Sequence, residues 1–346
     1  MLFARSCGAE YMAEKFRTCV IFGGTGFIGS HLALFLTTHH LAERVVLADI
    51  APMRHDFEFD LRLVEYVELD VRSSIDRWIL PESTDLIANF AAIHREPGHA
   101  LHEYYETNLP GADNVCAWAD RVGCNKLIFT SSIAPYGPTE EPKTEESIPT
   151  PVSGYGGSKL AAEKIHIAWQ RSKQERCLVI VRPGVVFGPG ERGNVTRLIQ
   201  ATLKRYFFFL GNRHTRKAGG YVKELVNSML WALDRLPESG GAFLFNFCLP
   251  QTPTVQDYVV TTCNVAGVTR FVPSVPYTFL LAASYLIEGL SRVFGVEQPV
   301  SPIRIRKLVR SNNIEPAVLK REGYVYMYSL EAAMSDWKAD RPDEWC

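Results

Sequence analysis

The chain has 346 residues, 47% of them hydrophobic, and a formal net charge of −1 at pH 7, enough for one large core or a core with a smaller lobe. Charge this close to neutral leaves no electrostatic footprint for nucleic acid, and no Lys/Arg run points to an anionic membrane partner. The eight cysteines, at 7, 19, 116, 124, 177, 248, 263 and 346, contain no Cys-x-x-Cys pair and read as reduced thiols of a cytoplasmic protein. Residues 1–16 read as a loose N-terminal tail, because Arg5, Glu10, Glu14 and Lys15 leave none of the apolar stretch that a secretory signal needs.

The first strand signal, Thr18-Cys19-Val20-Ile21-Phe22, runs straight into Gly23-Gly24-Thr25-Gly26-Phe27-Ile28-Gly29 and then into the helical apolar spacing of residues 30–36. Glycines at Gly23, Gly26 and Gly29 let a backbone turn sharply and approach a pyrophosphate, whose charge meets the unpaired N–H groups and positive end of the next helix. This loop, with Phe27 and Ile28, reads as a dinucleotide cradle. The second strand, Arg44-Val45-Val46-Leu47-Ala48, ends in Asp49, where a carboxylate accepts from both ribose hydroxyls and repels a 2′-phosphate. That favours NAD over NADP, although Arg54 lies nearby in sequence.

Further on, short apolar runs alternate with longer helical patterns, which predicts a doubly wound parallel α/β sheet of Rossmann type covered on both faces. Strands are expected near 18–22, 44–48, 64–69, 85–90, 126–130 and 177–182, and helices near 27–39, 72–79, 99–121 and 154–173. Asp70 and Val71 follow the third strand, and Ala91 and Ala92 the fourth, at the carboxyl edge where such sheets bind ligands. Asp70 there can accept from an adenine amino group, and the two alanines leave room for a cofactor; a helix cap and tight packing account for the same residues equally well. Residues 133–152, rich in Pro, Glu and Thr, read as a loop walling an active site. Histidines 94, 99 and 102 invite a metal site, but the reading taken is no metal, with His94 and Arg95 bordering the substrate.

The fifth strand leads to Thr130-Ser131-Ser132, and the pattern after it starts with Tyr155-Gly156-Gly157-Ser158-Lys159. Tyr155 and Lys159 stand four apart, one helical turn, on a common face. A tyrosine ionises at about pH 10 unaided, and a neighbouring ammonium together with an oxidised nicotinamide favours its phenolate. Tyr155 then takes a proton from an alcohol as hydride leaves carbon, or returns it to a carbonyl, with Ser132 holding the oxygen.

Together with Asp70-Val71-Arg72, Asn89-Phe90-Ala91-Ala92, Tyr136-Gly137 and Arg182-Pro183-Gly184-Val185-Val186-Phe187-Gly188-Pro189-Gly190, these motifs make most of residues 17–340 resemble the extended short-chain dehydrogenase/reductase family. That family includes nucleotide-sugar epimerases and dehydratases and 3β-hydroxysteroid dehydrogenases. The resemblance implies a Rossmann-type NAD-binding domain over 17–185, a smaller C-terminal substrate lobe over 186–346 with some segments returning to the first domain, and a homodimer. It implies Ser132, Tyr155 and Lys159 as the catalytic set, Asn108 as the helix asparagine supporting it, and Pro183 beside the nicotinamide.

Ile133-Ala134 stands where the family's dehydratases carry Asp-Glu, which argues against 4,6-dehydration. Val185 stands where sugar epimerases place asparagine, and no Arg-x-Gly-Asp follows. In favour of a sugar diphosphate, Arg216 and Lys217 occupy the place of the epimerases' phosphate-binding arginine, and Asn194 is read with them as a substrate contact. The apolar stretch from Tyr277 to Val293, short for a spanning helix, resembles the helix that shapes a lipophilic pocket in the hydroxysteroid branch, while a lobe helix packed on the core explains it more simply and a membrane-surface contact stays open. The leading expectation is therefore an NAD-dependent nucleotide-sugar 4-epimerase of polysaccharide biosynthesis. A 4-keto-sugar reductase, a hydroxysteroid-type dehydrogenase and a non-catalytic dinucleotide-binding regulator are the alternatives.

Overall fold

The computed structural model describes residues 15–76, 79–95, 98–294 and 309–346; the N-terminal tail read at 1–16 falls almost wholly outside them. In chain order the strands are β1 (Phe16–Phe22), β2 (Ala42–Asp49), β3 (Val64–Glu68), β4 (Leu86–Asn89), β5 (Lys126–Thr130), β6 (Thr139–Lys143), β7 (Cys177–Pro183), β8 (Val185–Phe187), β9 (Phe209–Leu210), β10 (Gly219–Tyr221), β11 (Gly241–Phe247), β12 (Ser274–Val275) and β13 (Asn312–Ile314). The helices are α1 (Phe27–Thr38), α2 (Leu101–Val122), α3 (Gly154–Arg171), α4 (Asn194–Leu203), α5 (Val222–Asp234), α6 (Val255–Ala266), α7 (Tyr277–Phe294), α8 (Ala317–Arg321) and α9 (Leu330–Asp340).

Seven strands form one parallel sheet in the order β11-β7-β5-β4-β1-β2-β3, the Rossmann arrangement. Side chains alternate faces along each strand. Cys19 and Ile21 of β1 thus pack with Leu32, Leu36, Leu225 and Met229 of α1 and α5, while Val20 and Phe22 pack with Val115, Trp118 and Trp169 of α2 and α3. Strand order reverses between β1 and β4, opening the crevice beyond their carboxyl ends. Strand β11, drawn from the later chain, completes the sheet beside β7. A separate small core gathers Phe187, Ile199, Tyr221, Tyr258, Trp337 and Trp345 from the later chain.

Two expectations are corrected. The helix at 72–79 is absent among the described residues of that range. Asp70 bonds the backbone N–H of Arg72 (2.9 Å) and starts a turn, and Val71, Ile75 and Leu80 are buried from an irregular segment instead. The loop at 133–152 contains β6, which pairs with β13.

Glycine is required at the first turn of the cradle for two reasons. Gly23 has φ +72°, and a Cβ there would lie 2.6 Å from the Ala91 nitrogen, so β4's end abuts the loop. Gly23→Ala is expected to destabilise the protein by about 1–3 kcal/mol from the backbone conformation alone, and more from the clash, measurable as a shift in urea midpoint.

Candidate active site

Helix α1 begins at Gly26, which offers its amide end no side-chain cap. A Cβ built on Gly26 meets nothing but the Gly23 carbonyl at 3.1 Å, whereas one on Gly29 would strike the Gly23 oxygen at 2.6 Å and the Gly24 Cα at 2.7 Å. The cradle is therefore packed behind and open in front, as a pyrophosphate requires. Phe27 and Ile28 lie in the first turn of α1. Asp49 ends β2 and orders the loop, accepting from the Thr25 N–H (3.2 Å) and the Ala51 N–H (3.1 Å). Arg54, the residue that complicated the choice against NADP, is committed elsewhere: it pairs with Asp56 (2.6 Å), donates to the Gly190 carbonyl (2.7 Å) and covers the Phe57 ring. Asp70 is held by Arg72 at 2.6 Å, which keeps its carboxyl below the ordinary value. Val71 is buried and accepts from Asn114 at 2.8 Å. At the same carboxyl edge, Asn89 Oδ1 and Thr130 Oγ1 are buried with no protein hydrogen-bond partner, and Ala91 and Ala92 add little bulk. These features fit a dinucleotide lying across the strand ends.

The residues expected to handle the proton come from α3 and the turn after β5. Ser153 caps α3, accepting from the Gly156 N–H at 3.1 Å. A Cβ on Gly156 would sit 2.7 Å from the Ala134 oxygen, and one on Gly154 would sit 2.7 Å from Leu101 Cδ1. Lacking these atoms, the first turn of α3 presses against the turn holding Ser132 and against α2. Ser132 is half-buried, its Oγ accepting from the Ala134 N–H (3.1 Å); Tyr155 is half-buried with its ring 6.3 Å from that of Tyr104. Lys159 is 2% exposed, with Nζ 4.5 Å from the Phe129 ring centre. Loss of hydration pushes its pKa down to about 7, opposed by the Glu163 carboxylate one turn further along α3.

That carboxylate belongs to a buried network whose role sequence reading did not assign. Arg182 grips Glu163 through Nε (2.8 Å) and Nη2 (2.6 Å), Ser131 Oγ donates to Glu163 Oε1 (2.5 Å), and Arg182 Nη1 donates to Tyr136 (2.6 Å), which donates to Asn246 Oδ1 (3.0 Å). His166, pushed down to about 4 by burial, is neutral at pH 7. Its Nδ1–H donates to the Ala162 carbonyl (2.8 Å), which leaves Nε2 to accept from Asn89 Nδ2 (3.2 Å). The one available sequence signal was the four-residue step from Lys159 to Glu163.

Asn108, read among the catalytic set, is buried and braces the site. Its Nδ2 donates to Ser158 Oγ (2.9 Å), and its amide exchanges bonds with Ile93 (2.9 and 3.2 Å). It is a positioning residue. His94 retains exposed surface, and its pKa is lowered by desolvation and by the Arg95 and Lys159 charges, which places it near the lysine; Arg95 is exposed. Asn194 is exposed at the start of α4. The 215–218 strap is pinned on two sides, with Arg216 donating to the Thr252 carbonyl (2.7 Å) and Lys217 to the Arg310 carbonyl (2.6 Å). Among the described residues, no group of three His, Cys, Asp or Glu could hold a metal ion.

Residues 19–245 match the NAD dependent epimerase/dehydratase family. The chain belongs to that family. It is thus an NAD-dependent enzyme of the extended short-chain type. Among the family's curated members it is 26% identical over 322 residues to N-acetyl-α-D-glucosaminyl-diphospho-ditrans,octacis-undecaprenol 4-epimerase of Escherichia coli O157:H7, covering 91% of this chain and 92% of the relative. It is 25% identical over 354 residues to the decarboxylating sterol-4α-carboxylate 3-dehydrogenase of Candida albicans, covering 94% and 99%. In fold it resembles UDP-N-acetylglucosamine 4-epimerase of Methanobrevibacter ruminantium M1, with a TM-score of 0.73 at 19% identity over 96% of this chain and 98% of that one.

Two outcomes are expected. Glu163→Gln leaves Arg182 without its buried counter-charge and should cost about 3–5 kcal/mol in urea unfolding. For Lys159, a folded pKa of about 7 against an unfolded value near 10.5 means the unfolded chain binds more protons between those limits, so wild-type stability gains with pH across that window. Lys159→Met should therefore raise the thermal midpoint most at pH 7 and below, with the gain shrinking toward pH 10; an equal gain at every pH would contradict a buried, proton-shedding lysine.

Proposed function

We propose that the enzyme is a 4-epimerase acting on the secondary alcohol of a sugar diphosphate, with a nucleotide sugar as the first substrate class to test. The observation that carries this is the enclosed Lys159, one turn after Tyr155 and beside the Ser132 turn, in a chain aligned nearly end to end with a sugar-diphosphate 4-epimerase. Gly23, Gly26, Phe27, Ile28, Gly29, Asp49, Asp70, Val71, Ala91, Ala92, Tyr155, Lys159 and Pro183 are the residues assigned to hold NAD. When bound, NAD supplies a reversible hydride acceptor at the carbon that bears the hydroxyl.

Tyr155 takes the proton from the sugar hydroxyl oxygen and later returns it to the same oxygen. The Lys159 ammonium, poorly hydrated in its pocket, stabilises the phenolate through space. Ser132 donates to the oxygen and fixes its distance from the phenol. Epimerisation further needs the sugar ring to turn within the site, so the sugar must be gripped away from the reacting carbon. Asn194, Arg216 and Lys217 are assigned to the diphosphate and His94 and Arg95 to the sugar side of the cleft, while a lysine at 217 offers a point charge rather than an arginine fork. A homodimer in the cytoplasm accompanies this reading.

A second reading, a sterol-type 3-dehydrogenase, is favoured by the equally complete alignment with the Candida albicans enzyme. The same Ser132, Tyr155 and Lys159 serve it, with net loss of hydride in place of its return. Incubation of the purified enzyme with UDP-glucose and UDP-N-acetylglucosamine, followed by chromatography of the sugars, separates the two. Interconversion at C4 without net change in NADH absorbance is expected; stoichiometric NADH from a 3β-hydroxysterol, with inert sugars, would sink the epimerase. Tyr155→Phe should lower turnover by about 10²–10⁴ while leaving NAD binding intact, as read by initial rates and by NAD titration.

A further inference from the structure

Strands β9 and β12 pair through Phe209 N–H to the Pro273 carbonyl (2.8 Å) and Gly211 N–H to the Val275 carbonyl (2.9 Å), and Pro276 alone separates β12 from α7. Phe209 turns inward, and Phe208, next to it and so directed to the other face, stays exposed. Tyr206 is 62% exposed and Phe271 92% exposed. On α7, at about 100° per residue, Thr278, Phe279 and Ala282 lie opposite the buried Ser284 with Tyr285 and Ile287 toward the flanks, and all five are exposed. None of the five carries a charge. A surface helix ordinarily does the reverse, turning its charged residues to water and its apolar stripe to the core.

The charges nearby are as one-sided. From Arg192 to Lys223 the chain has eight Lys or Arg and no Asp or Glu, with Arg192 paired to Asp56 and Lys223 to Asp336 and Asp340 from elsewhere, and from Tyr258 to Ile287 it has Arg270 and again no carboxylate. Over the whole chain 37 basic residues face 38 acidic ones, so these two paired segments depart sharply from the average. The cations come singly or in pairs, which is why the linear sequence shows no Lys/Arg run. Lys204 and Arg205 are exposed immediately before Tyr206.

We propose that the face formed by β9, β12 and the outer arc of α7 docks on the surface of a bilayer containing anionic lipid. Phe271, Phe279, Tyr206 and Tyr285 enter the headgroup layer, and Lys204 and Arg205 rest on lipid phosphates. Among the described residues no helix is long and apolar enough to cross a membrane, so the contact is with the surface. A second copy of the chain is the weaker occupant, because a two-fold interface would set the exposed Lys204 and Arg205 of this face against their own copies. The proposal goes beyond the catalytic reading and stands without it.

The test is co-sedimentation of the full-length protein with phosphatidylcholine vesicles, with and without about one third phosphatidylglycerol. Binding to the anionic vesicles, weak binding to the neutral ones and release at high salt are expected. Neutralising a cation at the surface lowers partitioning about fivefold, so Lys204→Gln with Arg205→Gln should lower it roughly 25-fold. Phe271→Ser with Phe279→Ser should reduce it at least as far, with the thermal midpoint unchanged in both variants. Equal binding to both vesicle types, or wild-type binding by both variants, overturns the proposal. So does a wild-type dimer that Phe271→Ser with Phe279→Ser dissociates in sedimentation velocity while vesicle binding stays the same, which would make the face a copy-to-copy interface.

Discussion

A cation buried one helical turn after a tyrosine is the constraint around which the proposed site is organised. Lys159 is removed from water, and an ammonium so placed gives up its proton unless a negative charge is near. Glu163 supplies that charge from the same helix, but a buried carboxylate needs neutralising in its turn, and Arg182 of β7 does so with two short bonds. A third N–H of Arg182 is taken by Tyr136, and Tyr136 donates to Asn246 of β11. Asn246 donates its backbone N–H to Glu145 (2.8 Å), whose other bonds cap the start of α8. One charge on α3 is thus compensated stepwise across the sheet and into the last third of the chain. Such a network adds little net stability compared with apolar packing. What it provides is position, since Ser131, the neighbour of Ser132, hangs from the same carboxylate.

Glycine plays the complementary part. Three glycines in the first turn of a helix weaken it, each by roughly 0.5–1 kcal/mol relative to alanine. At Gly154, Gly156 and Gly157 the missing Cβ atoms are replaced by α2 side chains or by the Ala134 backbone at distances no alanine would allow. The local loss is offset by tight packing of α2 on α3, and the gain is that the first turn of α3, which carries Tyr155, meets the backbone of the turn that follows Ser132.

The sheet was legible because its strands are buried on both faces and read as continuous apolar runs, and because the glycine loop sits between a strand and a helix in the order that a cradle needs. The segment after β3 misled for a physical reason: Val71 and Ile75 stand a helical turn apart, yet an Asp70 turn and burial from an irregular path satisfy both residues without a helix. The network under the site was illegible because Glu163, Arg182 and Asn246 are of residue types that are mostly solvated, and only their burial tells otherwise. The outer face of α7 misled in the opposite way. Its apolar residues look in sequence like an ordinary core stripe, and the fold turns part of them outward.

Substrate choice stayed hidden for a related reason. Full-length relatives include an enzyme named for a lipid-linked sugar and one named for a sterol. All of the proton chemistry argued above lies between Thr130 and Glu163, with its support in α2, β7 and β11, and it asks of a substrate nothing but a secondary alcohol beside a nicotinamide. What distinguishes a sugar diphosphate from a sterol must come from the residues around that alcohol. In this chain the part after β8 contributes a strap pinned by Arg216 and Lys217, and a helix whose outward arc bears no charge. A strap carrying fixed cations suits an anion, and an uncharged aromatic face suits the boundary of a bilayer. An enzyme that combines them has the means to meet a charged headgroup at a membrane surface while its catalytic pair remains indifferent to what lies beyond the reacting carbon.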